Sequence, residues 1–374
     1  MAKFTCPYCY GKHDLLDCNM RCWDNLNGDM RDKCSFGVQK DATTLFIPKA
    51  SRGRCTRCRE ATLDVYCPEY DEQIIPRDYL SGSGMTVALV GAKASGKSNY
   101  IGVLVNEIRK KMTRSFNCSI NICCSEESKR YYDENYYKPL FVDGYVVEGT
   151  NVETIPPLLF PIDFRDSKGR PTNTASLTFY DTAGENFDTV KGINVFSRYL
   201  PNADGIILLL DPLQLPPVRE KLQGKIDLPA QNTDVVEVLN RIVTNIRNVK
   251  KIKGGIKTPL AVVFTKIDAL IKYGIISQDS VVASESEHIK RGVFVQSDFE
   301  SVNIELRDML ENWLADELIS YMQSFTKYSF FGVSALGDVP NDMKLSSAGI
   351  HPHRVLDPLL WLLAENNYIK RVKK

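Results

Sequence analysis

From Met85 onward, short apolar runs rich in Val, Ile, Leu and Phe alternate with longer stretches whose apolar residues recur every three or four positions. Apolar runs suit the strands of a parallel sheet, and the three-to-four spacing suits helices with one apolar stripe. The alternation therefore predicts βαβ units, and with them a doubly wound, mainly parallel α/β fold. Strands are expected at Thr86–Val90, Leu158–Phe164, Ala175–Tyr180, Gly205–Leu210, Leu260–Phe264 and Ser329–Val333. The turn-like Asp166-Ser-Lys-Gly-Arg170 joins the second and third, which predicts an antiparallel hairpin at one edge. Helices are expected at Ser98–Met112, Thr233–Arg247, Val302–Phe325 and Arg354–Glu365. Residues 113–150 form an insertion in which Cys118, Ile120, Ile122 and Cys124 alternate as in an extra strand and Ser125 opens a helix.

The first 67 residues have little of either periodicity, and eight of the chain's 11 cysteines fall between Cys6 and Cys67. The expected division is a cysteine-rich domain at 1–76, a linker at 77–84 ending in Ser-Gly-Ser-Gly84, and a nucleotide-binding domain at 85–374. Cys6-Pro-Tyr-Cys9 and Cys55-Thr-Arg-Cys58 are C-x-x-C knuckles, a spacing that lets two thiolates grip one tetrahedral Zn²⁺. Cys18, Cys22, Cys34 and Cys67 complete a second four-thiolate site, or some of them stay free; crossed and sequential pairings both satisfy the spacing. His13 can replace one cysteine, although a lone surface histidine is the commoner case.

Charge narrows the range of partners. The chain has 47 Lys+Arg against 46 Asp+Glu, so no long-range field draws it to nucleic acid or anionic membrane. Arg52, Arg54, Arg57 and Arg59 cluster around one knuckle, but residues 1–67 hold 11 basic against 8 acidic residues. Each four-thiolate zinc site carries a formal charge of about −2, so two sites cancel that excess. Protein docking or a structural role is favoured over nucleic-acid binding. The longest apolar stretch, Gly205–Leu210, is far short of the roughly 20 residues of a membrane helix, and the start has no apolar signal region. A cytoplasmic protein is expected, with its cysteines binding zinc rather than forming disulfides.

Gly91-Ala-Lys-Ala-Ser-Gly-Lys-Ser98 fits G-x-x-x-x-G-K-[ST] and lies between an expected strand and an expected helix, the context that gives the motif its meaning. Backbone N–H groups over Gly91, Ala94, Ser95, Gly96, Lys97, Ser98 and Asn99 would wrap a triphosphate at a helix N-terminus. Lys97 would reach the β- and γ-phosphates, and Ser98 would hold Mg²⁺. In Asp181-Thr-Ala-Gly184 an acid ends a strand, positioned to hold Mg²⁺ through water, and Gly184 lets its N–H approach the γ-phosphate. Further on come Thr265-Lys-Ile-Asp268 and Ser334-Ala-Leu336. An ionised Asp268 only accepts hydrogen bonds, which suits the two adjacent donors of guanine and repels the N1 acceptor of adenine.

In order and spacing these four motifs resemble those of Ras-like GTPases of the translation-factor class, over roughly residues 85–365. The resemblance implies that Thr265 belongs to the base site with Lys266, which lies along the base, and that the Ser334–Ala335 backbone contacts the guanine oxygen, with Leu336 completing the fourth nucleotide-binding motif. It also implies a first switch whose Thr154, or else Thr150, touches phosphate and Mg²⁺, and a second switch from Gly184 to about Lys191. The cysteine-rich head, Phe179-Tyr-Asp-Thr-Ala-Gly-Glu185 and Arg354-Val-Leu-Asp-Pro-Leu-Leu-Trp361 resemble bacterial zinc-ribbon double-GTPase proteins, which implies a link to bacterial conflict or defence systems. The implied activity is slow hydrolysis of GTP to GDP and phosphate, timing a switch whose zinc module docks a protein partner. A nucleotide-holding scaffold with little turnover and a nucleic-acid-linked GTPase are the alternatives. Lys93 stands where the Ras-like pattern has Gly, and Glu185 where it has Gln. Lys97, Thr154, Glu185 and Lys93 are the catalytic candidates. Lys93 either pairs with Glu185 or the γ-phosphate, or both side chains point into solvent.

Overall fold

The computed structural model describes residues 3–14, 18–20, 22–24, 31–34, 38–40, 53–55, 61–62, 65–70, 73–76, 79–80, 83–91, 95–120, 126–147, 158–166, 168–179, 198–226, 228, 235–311, 313, 316–341 and 343–374. Seven strands form the central sheet: β1 (Ser83–Gly91), β2 (Cys118–Ile120), β3 (Leu158–Arg165), β4 (Pro171–Phe179), β5 (Gly205–Leu210), β6 (Leu260–Phe264) and β7 (Tyr328–Gly332). Their order is β2-β3-β4-β1-β5-β6-β7. β4, β1, β5, β6 and β7 are mutually parallel. The expected hairpin of β3 and β4 is antiparallel, and β2 adds a further antiparallel edge strand.

Alternation along β1 shows why both faces must be covered. Val87 and Leu89 enter one apolar layer with Tyr100, Val103 and Leu104 of α1 (Lys97–Glu107) and with Leu359, Leu360 and Trp361 of a C-terminal helix. Ala88 and Val90 enter the other, with Leu239, Ile242 and Ile246 of α2 (Val235–Lys250). Every residue of β5 and of β6 is buried, which explains their unbroken apolar sequence.

Three elements differ from the sequence expectation. Between α3 (Ile267–Lys272) and the C-terminus, the single helix expected over Val302–Phe325 is two, α4 (Gln296–Glu311) and α5 (Asp316–Met322). At the break Trp313 turns back, its N–H closing on the Leu310 carbonyl at 2.9 Å while its side chain packs into the second layer. The last helix, α6, starts at Asp357 rather than Arg354, with Pro358 in its first turn, where a missing N–H forfeits no hydrogen bond. Arg354 instead has a φ of +49°. Its buried guanidinium binds Asp298 and Asp357, and its Nε donates to the Ser284 carbonyl. Ser286 donates to the other Asp357 oxygen, and His288, kept neutral by burial, accepts the Val295 N–H on Nδ1. Finally, the stretch read as a linker contributes Tyr79 and Leu80 to a buried cluster, and Ser83 and Gly84 pair with Ala175 and Ser176. Backbone ladder bonds need no large side chain, so its small residues did not prevent pairing.

In the N-terminal head, Lys3–Thr5 pairs antiparallel with Lys12–Asp14, and Val65–Tyr66 lies between Asn19–Met20 and Ile74–Ile75. The head's buried cluster is small: Phe4, Val65, Ile75 and four cysteines, completed by Tyr79, Leu80 and Leu159 of β3. The Tyr79 hydroxyl donates to the Thr5 carbonyl at 2.7 Å, tying head to sheet. Among the described residues, no helix is long and apolar enough to cross a membrane.

Candidate nucleotide and metal sites

The C-terminal ends of β1, β6 and β7 carry three of the four nucleotide motifs, at the edge where open α/β sheets bind ligands. Gly91 ends β1 opposite Leu209. A Cβ there would lie 2.4 Å from the Ser95 hydroxyl and 3.2 Å from the Leu209 Cβ, so only glycine permits this closeness. Gly96 has a φ of +82° and opens α1, offering no side chain of its own to cap the helix. Lys97 is buried and Ser98 and Asn99 are half-buried in that first turn. Among the described residues, the buried Ser95 hydroxyl has no hydrogen-bond partner. A tight glycine turn, a helix N-terminus and an orphaned buried hydroxyl fit a phosphate group. Ala92, Lys93 and Ala94 lie outside the described residues.

The corner that carries the third and fourth motifs is built by hydrogen bonds between distant parts of the chain. Thr265 donates from its hydroxyl to the Ser95 carbonyl at 3.1 Å, so this side chain fastens the third motif to the phosphate loop. Lys266, at φ +55°, places its ammonium 2.6 Å from Asp211, a buried acid just beyond β5. Asp268 stands in the first turn of α3 and accepts from the Ser334 hydroxyl at 2.6 Å. Burial pushes its carboxyl up, and the Ser334 bond opposes that shift without cancelling it. Ser334 is fixed in turn by a two-bond backbone pair with His353, and the Leu336 carbonyl accepts from His351. Ala335 and Leu336 are partly buried against the first apolar layer.

The Asn99 Oδ1 accepts the Val147 N–H at 2.9 Å. Val146 and Leu345 bond across to Met343 and Gly144, so the chain leading toward Thr150 and Thr154 is pinned to α1 and to the loop after Ser334. Thr150, Thr154, Asp181, Gly184 and Glu185 lie outside the described residues.

In the head, the sulfur atoms of Cys6, Cys9 and Cys67 all lie within 4.8 Å of one another, and His13 Nε2 is 2.9 Å from Cys9 Sγ. Hydrogen bonding to Cys67 and Cys9 holds the proton on Cys6; the same contact lowers Cys67, and Cys9 to about 5. Crowded thiols, two of them inclined to ionise, suit a cation. Zn²⁺ with Zn–S bonds of about 2.3 Å sets its ligands roughly 3.8 Å apart. A Cβ on Gly11 would come within 2.7 Å of His13 Nε2, so this loop too is closed down around the cluster. Cys18 is buried alongside, 3.6 Å from the Asp14 carbonyl. Cys22 and Cys34 are cross-strand neighbours, Cys55 lies in a separate small sheet opposite Val38, and Cys58 is outside the described residues. Sequence spacing had left the division of the eight cysteines open. Asp211 was not among the sequence candidates, although an acid ending six apolar residues at a strand's C-terminal edge was the available signal.

Sheet order and motif placement define a GTPase-type nucleotide-binding α/β domain. The chain belongs to the Double-GTPase 2 family, whose profile matches residues 85–322. It is 26% identical over 337 residues to the putative ESX-1 scaffolding and assembly protein SaeC of Mycolicibacterium smegmatis, covering 84% of this chain and 83% of that protein. Solved structures similar to it include the Arl6 BBS3 small GTPase of Trypanosoma brucei (13% identity, 77% of this chain and 99% of that one, TM-score 0.30). Another is the GTP-bound Ski7 GTPase-like domain of S. cerevisiae (14% identity, 76% and 50%, TM-score 0.35). Such low superposition scores add nothing to the strand order.

Proposed function

We propose that this chain binds GTP with Mg²⁺ at the C-terminal edge of its sheet, hydrolyses it slowly to GDP and phosphate, and signals the bound state to a protein partner in the cytoplasm. The observation that carries the reading is Asp268, set by Ser334 beside a phosphate loop that Thr265 ties to the same corner. A carboxylate there accepts the guanine N1–H and 2-amino hydrogens. Lys266, steadied by Asp211, lies along the base, and the Ser334–Leu336 backbone faces the guanine oxygen. First-turn amides of α1 and Lys97 take the phosphates. Ser98, Asp181 and Thr154 would hold Mg²⁺, which when bound neutralises charge on the transferred phosphoryl group. Glu185 would orient the attacking water, with Lys93 its counter-charge. In the head, Cys6, Cys9, Cys67 and His13 would hold one Zn²⁺, whose role is structural; the remaining cysteines would serve a second.

Membership of the double-GTPase family supports nucleotide binding, and similarity to a putative scaffolding and assembly protein supports protein partners. Calorimetry with GTP, GDP and ATP tests the base site. Nanomolar-to-micromolar binding of both guanine nucleotides is expected, with ATP much weaker; equal binding of ATP refutes the assignment. Single-turnover hydrolysis separates a switch from a scaffold that holds nucleotide without cleaving it.

A further inference from the structure

Besides Leu159 of β3, the metal cluster meets the nucleotide domain at a turn just before β5. Residues 198–202 form a short helical turn that follows, in sequence, the segment assigned above to the second switch. The two thiol-bearing loops of the head each place one residue on it. Tyr10, next to Cys9 and held at φ +62° with its N–H on the Cys6 carbonyl, accepts the Asn202 side-chain amide on its own carbonyl at 2.9 Å. Its ring rests against Tyr199, centroids 5.8 Å apart. Glu69, two residues beyond Cys67, pairs with Arg198.

The far side of the turn reaches the strand that feeds the phosphate loop. Buried Tyr199 donates to the Val87 carbonyl of β1. Asp204, just after the turn, accepts the Thr86 N–H of β1 at 3.0 Å and lies 3.8 Å from Lys12 of the head. The turn is thus gripped between two cysteine loops and β1. Separating the cysteines moves both Tyr10 and Glu69; displacing the turn strains both loops.

The geometry points to a coupling of the two sites: with zinc bound, the head clamps the turn that is bonded to β1, the strand that feeds the phosphate loop, so metal occupancy and the GTP-versus-GDP state influence each other. This rests on the zinc and guanine readings above. Linkage makes the effect reciprocal: the factor by which zinc changes the GTP:GDP affinity ratio equals the factor by which exchanging GDP for GTP changes zinc affinity. Tyr10, Asn202 and Arg198 act as positioning residues, whereas the Glu69 carboxylate, within 4.8 Å of Cys9 and His13, borders the metal cluster itself.

The test uses the full chain. Zinc affinity is measured by equilibrium competition with a chromogenic chelator in saturating GDP and in saturating guanosine 5′-(β,γ-imido)triphosphate. Affinities for the two nucleotides are measured with and without zinc. We expect zinc affinity to differ by about 5-fold or more between nucleotide states, in the usual range of coupling between sites, with the same factor recovered in the nucleotide titrations. Asn202→Ala should remove the difference while leaving bound zinc and GDP affinity in place. Arg198→Ala should reduce it, and Arg198→Lys, which keeps a cation facing Glu69, should retain it. Equal zinc affinity in both states, in a chain that binds zinc and both nucleotides, overturns the coupling alone. A chain that binds no zinc or no guanine nucleotide overturns the underlying reading and the coupling with it.

Discussion

Asp268, Ser334, Thr265 and Lys266 each have a hydrogen-bonding partner supplied by the protein, on a sheet with apolar side chains packed over both faces. Cys6, Cys9 and Cys67 have mainly one another, over a cluster to which the described residues of the head contribute few large apolar side chains, Phe4, Val65 and Ile75. On the proposed reading, the base corner is therefore complete before its ligand arrives, whereas the head's order would depend on a cation that neutralises crowded thiolates. Preorganisation in the first case favours affinity and selectivity; conditional order in the second favours response.

The largest expected effect is on the head. Structural zinc contributes about 10–16 kcal/mol of apparent folding free energy in small metal modules, so chelation should abolish amide protection in residues 3–20 and 65–76. Protection in β5 and β6 should persist, as measured by hydrogen exchange. Equal loss in both regions would erase the contrast. Next comes Arg354→Met in the nucleotide domain. It strands the buried carboxylates of Asp298 and Asp357, and should lower unfolding free energy by about 3–5 kcal/mol in urea titration without reducing zinc content.

Asp268→Asn replaces an acceptor with a donor facing two guanine donors. Hydrogen bonds to charged groups are worth about 1.5–3 kcal/mol each, so GTP affinity should fall at least about a hundredfold by calorimetry. Acidity should act on the same carboxyl. Burial raises its pKa in the empty protein, so the folded state holds that proton more tightly than the unfolded chain. This group's contribution to empty-protein stability is therefore fully present below the unfolded pKa and is lost as pH rises through the folded one. Guanine binding needs the ionised form and has the opposite sign. GTP affinity should begin to fall, on acidification, above the pH range of an ordinary aspartate, and Asp268→Asn should flatten that dependence. The smallest effect is at Asn99. A net hydrogen bond of about 1 kcal/mol predicts roughly fivefold weaker binding of a GTP analogue to Asn99→Ala, with GDP affected less; equal weakening of both would disconnect Val147 from the triphosphate end.

How much of this could be read from sequence follows the same division. Gly205–Leu210 and Leu260–Phe264 were legible residue for residue, because strands covered on both faces must be uniformly apolar. The turn at Asp166–Arg170 announced the hairpin. Motif spacing brought Asp268 and Ser334 to one corner, yet it could not show that Thr265 spends its hydroxyl on Ser95 or that Asp211 steadies Lys266. Those partners are 170 and 55 residues apart and meet only because β1, β5 and β6 are neighbours. The gathering of Cys67 with Cys6 and Cys9 was hidden for a related reason. A knuckle's local spacing identifies the first two thiolates, while the third depends on how the intervening chain folds back. Asp181, Gly184, Glu185, Lys93 and Thr154, legible as motif positions, lie outside the described residues.

Leu159, buried in the same cluster as Phe4 and Cys6, has a consequence for biosynthesis. At synthesis rates of roughly 5–20 residues per second, the ribosome adds it about 5–20 seconds after Cys67. During that interval the nascent head has all its cysteines and only part of its apolar support. Metal captured early would hold the thiols until β3 emerges to cover them; in a zinc-starved cell the same thiols would wait exposed, making this interval the one in which oxidation or degradation competes with folding.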